Sequence, residues 1–129
     1  EYVGHGHTVL VQSGAGLGAG YADEVYVKAG ATIAPDAAAV FAGADMIVKV
    51  KEPQAVERAM LRPGQILYTY LHLAAEPALT KALLEKKVIG IAYETVQFDN
   101  GGTRQFDYAQ APNVQIGDRV RADGDQLYR

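Results

Sequence analysis

Short apolar runs recur along the first part of the chain, each set off by glycine or proline and separated from the next by a helical stretch. The first is Thr8-Val9-Leu10-Val11-Gln12; others span residues 31–34, 45–50, 65–70 and 88–93. Runs this short and this rich in β-branched residues read as strands rather than helices. Between them, Asp23 is placed to cap a helix running to Ala29, with Gly30 as its stop. Asp36 is placed to cap another through Ala42, ended by Gly43. Pro53 opens a short helical stretch to Leu61, and Glu76-Pro77 starts a helix to about Lys87, with proline where a missing N–H costs little. Strands that alternate with helices, each strand a continuous apolar run, predict a parallel α/β sheet covered on both faces. The opening Glu1-Tyr2-Val3-Gly4-His5-Gly6-His7 reads as the end of a helix whose body precedes the sequence, with Gly4 and Gly6 as stops.

At about residue 98 the pattern changes. Asp99-Asn100-Gly101-Gly102 is a hairpin-type turn, and residues 103–108 alternate in strand fashion. Residues 114–120 and 126–128 read as further short strands joined by turns. All six lysines lie before residue 88, and the tail uses only arginine. The fold class expected is therefore α/β, a partial doubly wound parallel sheet with a C-terminal antiparallel β segment. Two parts are expected, residues 1–97 and residues 98–129, packed as one domain.

Bulk properties exclude several functions. A formal charge of -3 offers no basic footprint for nucleic acid. No apolar stretch approaches the roughly 18 residues of a membrane helix, and no charged n-region with an apolar core opens the chain. The absence of cysteine rules out thiolate chemistry and fits a cytoplasmic protein.

Few residues can carry chemistry. Gly14-Ala15-Gly16-Leu17-Gly18-Ala19-Gly20 follows a strand and precedes a helix, as a dinucleotide loop should. Its spacing misses the third glycine of that fingerprint from either starting point, so it reads as a tight structural loop and no cofactor-binding residue is assigned. Lys51 ends a strand at the carboxyl edge, where open α/β sheets bind ligands. It is either a solvated strand-end lysine or one that holds a carboxylate or polarises a carbonyl, with burial tuning it for catalysis. His72 ends the next strand at the same edge. It is either a hydrogen-bonded core histidine or an acid–base group. Glu94, ending the strand after that, lines the same edge, and Lys49 reads as structural. His5 and His7 alternate as a metal pair would, but no third ligand is near, so no metal site is assigned.

Three blocks resemble the alanine dehydrogenase and transhydrogenase family. They are residues 9–23, from Val9-Leu10-Val11-Gln12 through the glycine loop to Asp23; Ala44-Asp45-Met46-Ile47-Val48-Lys49-Val50-Lys51-Glu52-Pro53; and residues 64–75 around Tyr70-Leu71-His72-Leu73-Ala74-Ala75, closed by Ile91-Ala92-Tyr93-Glu94-Thr95-Val96-Gln97. The run Leu71-His72-Leu73-Ala74-Ala75 favours the alanine dehydrogenase branch. The resemblance implies that residues 1–97 are part of the substrate-side domain, that Lys51 is the substrate-binding lysine and that His72 is the catalytic histidine. The family's activity is NAD-dependent oxidative deamination of L-alanine to pyruvate. Its coenzyme domain, and an arginine in its first strand–helix unit, have no counterpart in these residues.

The tail, with Val114-Gln115-Ile116-Gly117-Asp118-Arg119-Val120-Arg121, resembles the terminal β segment of a bacterial glycine-zipper outer-membrane lipoprotein, without the anchor cysteine. Together the two resemblances imply an inactive chimera, with Lys51 and His72 vestigial, no cofactor of its own and no membrane or nucleic-acid partner. An exposed sheet edge implies self-association as a dimer or by segment exchange. The alternatives are a dehydrogenase fragment that still binds pyruvate or alanine weakly, and a lipoprotein-like binding module.

Overall fold

The computed structural model describes residues 1–97, with residues 103–104, 121–123 and 126–128 of the tail. After a single 3₁₀ turn at Val3–His5, which Gly6 ends in a left-handed conformation, strand β1 (Leu10–Gln12) leads through the glycine-rich loop into α1 (Asp23–Lys28). Strand β2 (Thr32–Ala34) then pairs in parallel with β1. Helix α2 (Ala37–Gly43) follows. Strands β3 (Met46–Val48), β4 (Ile66–Thr69) and β5 (Ile89–Ala92) form a parallel sheet in that spatial order. Helix α3 (Ala55–Met60) joins β3 to β4, and α4 (Pro77–Glu85) joins β4 to β5. The α/β class with parallel strands is the one expected. Beyond it, β6 (Val96–Gln97) pairs antiparallel with β7 (Thr103–Arg104), and β8 (Arg121–Asp123) with β9 (Gln126–Tyr128). The strand expected at residues 114–120 lies outside the described residues. Among the described residues no helix is long and apolar enough to cross a membrane.

The core lies on one face of the three-stranded sheet. Ile47 and Leu67 project there, against Phe41 of α2, Leu61, Leu71, and Leu79 and Leu83 of α4. Each such side chain removed from water contributes about 1.5–3 kcal/mol. The opposite face carries Val48, Ile89 and Ile91, which remain 50%, 52% and 41% exposed. Among the described residues, cover on this second face is incomplete. The strands are apolar on both faces, as a doubly covered sheet requires, but only one face meets helices tightly.

Helix ends follow local chemistry in part. Asp36 accepts from the Ala39 N–H at 2.8 Å, as an N-cap should. Pro77 occupies the first turn of α4. Asp23 does not cap: Ala22 is the N-cap residue of α1, and the Asp23 carboxylate reaches back into the loop instead. Gly43 is the last residue of α2, as the sequence reading placed its stop to within one residue. A Cβ there would come within 2.9 Å of Leu10 Cδ1, so glycine serves the close approach of helix and strand. The C-cap is Ala44, whose carbonyl accepts from the side chains of Arg62 and Gln65, each at 2.8 Å.

Candidate functional site

The carboxyl ends of β3, β4 and β5 gather the residues that can do chemistry. Tyr70 stands at the centre, one residue past the end of β4. The Lys51 ammonium lies 5.2 Å from the centre of its ring. The His72 imidazole lies against the same ring, with centroids 5.6 Å apart and planes at 64°. Both residues therefore share one locus, and both are exposed to solvent. Lys51 sits beyond the end of β3 rather than within it, so it lacks the burial that a place on a core strand would bring. His72 is not a core histidine. An exposed ammonium over an aromatic face gains about 0.5–1 kcal/mol, enough to bias its position without removing it from solvent.

The backbone around these two side chains is pinned from below. The buried Thr69 hydroxyl donates to the Lys51 carbonyl at 2.7 Å. The Tyr93 hydroxyl donates to the neighbouring Val50 carbonyl. Tyr93 also packs on Tyr68 and Tyr70, at centroid distances of 5.6 and 6.1 Å. Burial, reinforced by the nearby Glu94 carboxylate, pushes the Tyr93 phenol above its ordinary 10.0. Glu94 accepts from two successive amides, Leu71 at 2.9 Å and His72 at 2.8 Å. Lys49 is held away from the locus by Glu57 at 2.5 Å.

The glycine-rich loop is elsewhere and is differently engaged. Gly14 and Gly20 have φ of 75° and 82°, values that favour glycine. The Gly14 N–H and the Ser13 hydroxyl, the donors an anion would seek, both point at Asp23, at 2.8 and 2.7 Å. Those bonds, led by the one from Ser13, hold the Asp23 carboxyl below its usual 3.8. Two of the loop's donors are thus engaged by its own carboxylate rather than turned outward.

Sequence reasoning singled out Lys51 and His72 as strand-end residues, and the structure brings both against Tyr70. It missed Tyr70 and Tyr93. Their signal was available, since each stands at the end of a strand beside a residue already singled out, but an aromatic at a strand end reads equally well as core.

Comparison with known proteins supplies the family. A family model described as "Alanine dehydrogenase/PNT, N-terminal domain" matches residues 1–110. The chain belongs to the alanine dehydrogenase/PNT family. It is 69% identical over 115 residues to an alanine dehydrogenase of Bilophila wadsworthia, covering 89% of this chain and 29% of that protein. It is 59% identical over 116 residues to an alanine dehydrogenase of Methanococcus maripaludis, covering 87% of this chain and 31% of that one. A solved L-alanine dehydrogenase superposes with a TM-score of 0.73 at 46% identity, over 78% of this chain and 27% of that chain. A transhydrogenase from Sinorhizobium meliloti superposes with a TM-score of 0.68 at 29% identity, over 77% of this chain and 30% of that one. The chain thus spans about three tenths of the length of these alanine dehydrogenases. The family match continues past residue 97, where the sequence pattern changes.

Proposed function

We propose that these residues form the substrate side of an alanine dehydrogenase-type site, in which Lys51 holds the carboxylate of pyruvate or alanine and His72 moves the proton. The observation that carries this reading is the shared Tyr70 ring, which gathers a cation and an imidazole at the carboxyl edge of a parallel sheet. A lysine ammonium suits a small carboxylate as a point charge. A histidine close by can donate or accept a proton near neutral pH. NAD supplies hydride chemistry in such enzymes and must be positioned against the substrate. These residues span about three tenths of such enzymes, so the reading for them is the binding of substrate. Titration with pyruvate, followed by amide shifts, tests the reading. Shifts centred on residues 51 and 70–72, lost in Lys51→Ala, support it. No shift in the millimolar range would sink it.

A second reading keeps the chimera, with a lipoprotein-like segment joined near residue 98. The change of pattern and the confinement of lysine to the first part support it. The family match to residue 110 weighs against a join at that point. Circular dichroism of residues 98–129 expressed alone separates the two. A folded β spectrum favours an independent module, whereas an unfolded one assigns the tail to the dehydrogenase unit.

A further inference from the structure

We infer that Glu94 is the positioning residue for His72, acting through the backbone rather than through the imidazole. His72 adopts φ 50° and ψ 39°, the left-handed region that only a few per cent of non-glycine residues enter, histidine more readily than most. Among the described residues only Lys87 shares a positive φ without being glycine. A strained residue of this kind persists only where its surroundings hold it. The holding contact is visible. One Glu94 oxygen, Oε1, accepts from both the Leu71 and the His72 amide, at 2.9 and 2.8 Å. Two successive N–H groups aimed at one carboxylate oxygen fix the peptide planes on either side of the turn.

The consequence for the side chain follows from geometry. A left-handed residue turns the chain out of β4, and the next residues form a 3₁₀ turn at Leu73–Ala75. Within that turn the imidazole comes to rest against the edge of Tyr70, the ring that also carries Lys51. An extended His72 would still share a strand face with Tyr70, but the edge-on approach of the two rings seen here goes with the left-handed turn. Glu94 reaches across from the 3₁₀ turn after β5, Tyr93–Thr95, 22 residues along the chain. The end of one strand thus sets the backbone at the end of the next. The other oxygen, Oε2, is buried without a partner among the described residues. The function of the side chain therefore rests on Oε1, and an amide that keeps this oxygen should replace it.

The inference uses the proposed role of His72 only for its consequence, so the test has two separable readouts. The first is the ring-current shift of the His72 imidazole protons in ligand-free protein, which reports contact with Tyr70. The second is pyruvate affinity. Glu94→Ala is expected to lose the ring-current shift and to weaken pyruvate binding about tenfold, through lost preorganisation. Glu94→Gln is expected to keep both near the parent values. Should the alanine variant not fold, Glu94→Asp takes its place, since it keeps the charge but withdraws the acceptor by one methylene. Loss in aspartate with retention in glutamine supports a geometric role. The reverse order assigns the effect to charge and overturns the inference, as does an alanine variant with unchanged imidazole shifts. If the parent protein binds no pyruvate, the substrate reading fails while the imidazole shifts still decide the role of Glu94.

Discussion

Gly16 has no room for a methyl group. A Cβ there would lie 2.2 Å from the Tyr26 hydroxyl and 2.6 Å from the Tyr21 carbonyl oxygen. The tyrosine side chain can swing away, but the backbone oxygen cannot. Gly16→Ala is therefore expected to destabilise the chain by about 1–3 kcal/mol, as overpacking does, and urea unfolding would register it as a lower midpoint. An unchanged midpoint would mean that the loop yields. Asp23 makes the same loop sensitive to acid. Its carboxyl titrates below 3.8 when folded and near 3.8 when unfolded. Its contribution is thus complete above pH 3.8 and is lost as pH falls through the depressed folded value. The stability gap between the parent and Asp23→Asn is expected to narrow over that interval, and a gap independent of pH would refute the loop's dependence on the carboxylate. Tyr93 works at the opposite end. Its phenol is raised above 10.0, so the folded chain resists ionisation that the unfolded chain accepts. Stability should fall as pH rises through 10.0 towards the raised value, and absorbance near the phenolate band should titrate late. The strand-end places of Lys51 and His72 were legible in the sequence; that one tyrosine ring gathers both was not. Asp23 was legible only as an acidic residue before a helix, where capping α1 and closing the loop predict the same letter.

The start of α2 is written locally, whereas part of what holds its end comes from far along the chain. Asp36 lies three residues from the amide it accepts, so its role can be read from neighbouring letters. Asp36→Ala should cost about 1 kcal/mol, measurable as a lower melting temperature, and no loss would show that α2 is held by packing alone. The end of α2 is a different case. The buried Gln65 side chain donates to the Phe41 carbonyl at 2.9 Å and to the Ala44 carbonyl at 2.8 Å, from 24 and 21 residues away. Nothing beside Gly43 announces this, and a glycine near a helix end is the ordinary stop signal. The glycine does end the helix, and it also lies close to the Leu10 side chain of β1, which the neighbouring letters do not show. Strand ends shifted for a related reason. The apolar runs at residues 45–50 and 88–93 extend beyond the paired residues, because hydrophobicity reports burial partners and pairing stops where the chains diverge. Lys51 and His72 consequently sit in the segments after β3 and β4, where their backbones are free to be set by Thr69, Tyr93 and Glu94.

At the scale of the molecule, the open face of the three-stranded sheet is the feature with the largest consequence. In register, Val48 stands beside Tyr68 and Ile91, and Met46 beside Ile66 and Ile89. This is an apolar surface spanning three strands, on the side away from the helical core. The continuous apolar runs in the sequence recorded that both faces were suited to burial, and to that extent the pattern was right. A pattern cannot record which segment, or which chain, supplies the cover. Exposed apolar patches of several hundred square ångströms mark association surfaces, and β5 is an outer strand of this sheet among the described residues. A second copy of this chain is the cover always present in a pure sample. Self-association is therefore expected, with a light-scattering mass that rises with concentration above the 13.8 kDa of one chain. Ile89→Lys with Ile91→Lys places two charges on the exposed face of β5, far from the Phe41–Leu79 core. The double variant should stay folded by circular dichroism and elute at the mass of one chain. A parent protein that remains at one-chain mass across the accessible concentration range would defeat the prediction. So would a double variant that still associates, because the contact would then lie on another surface.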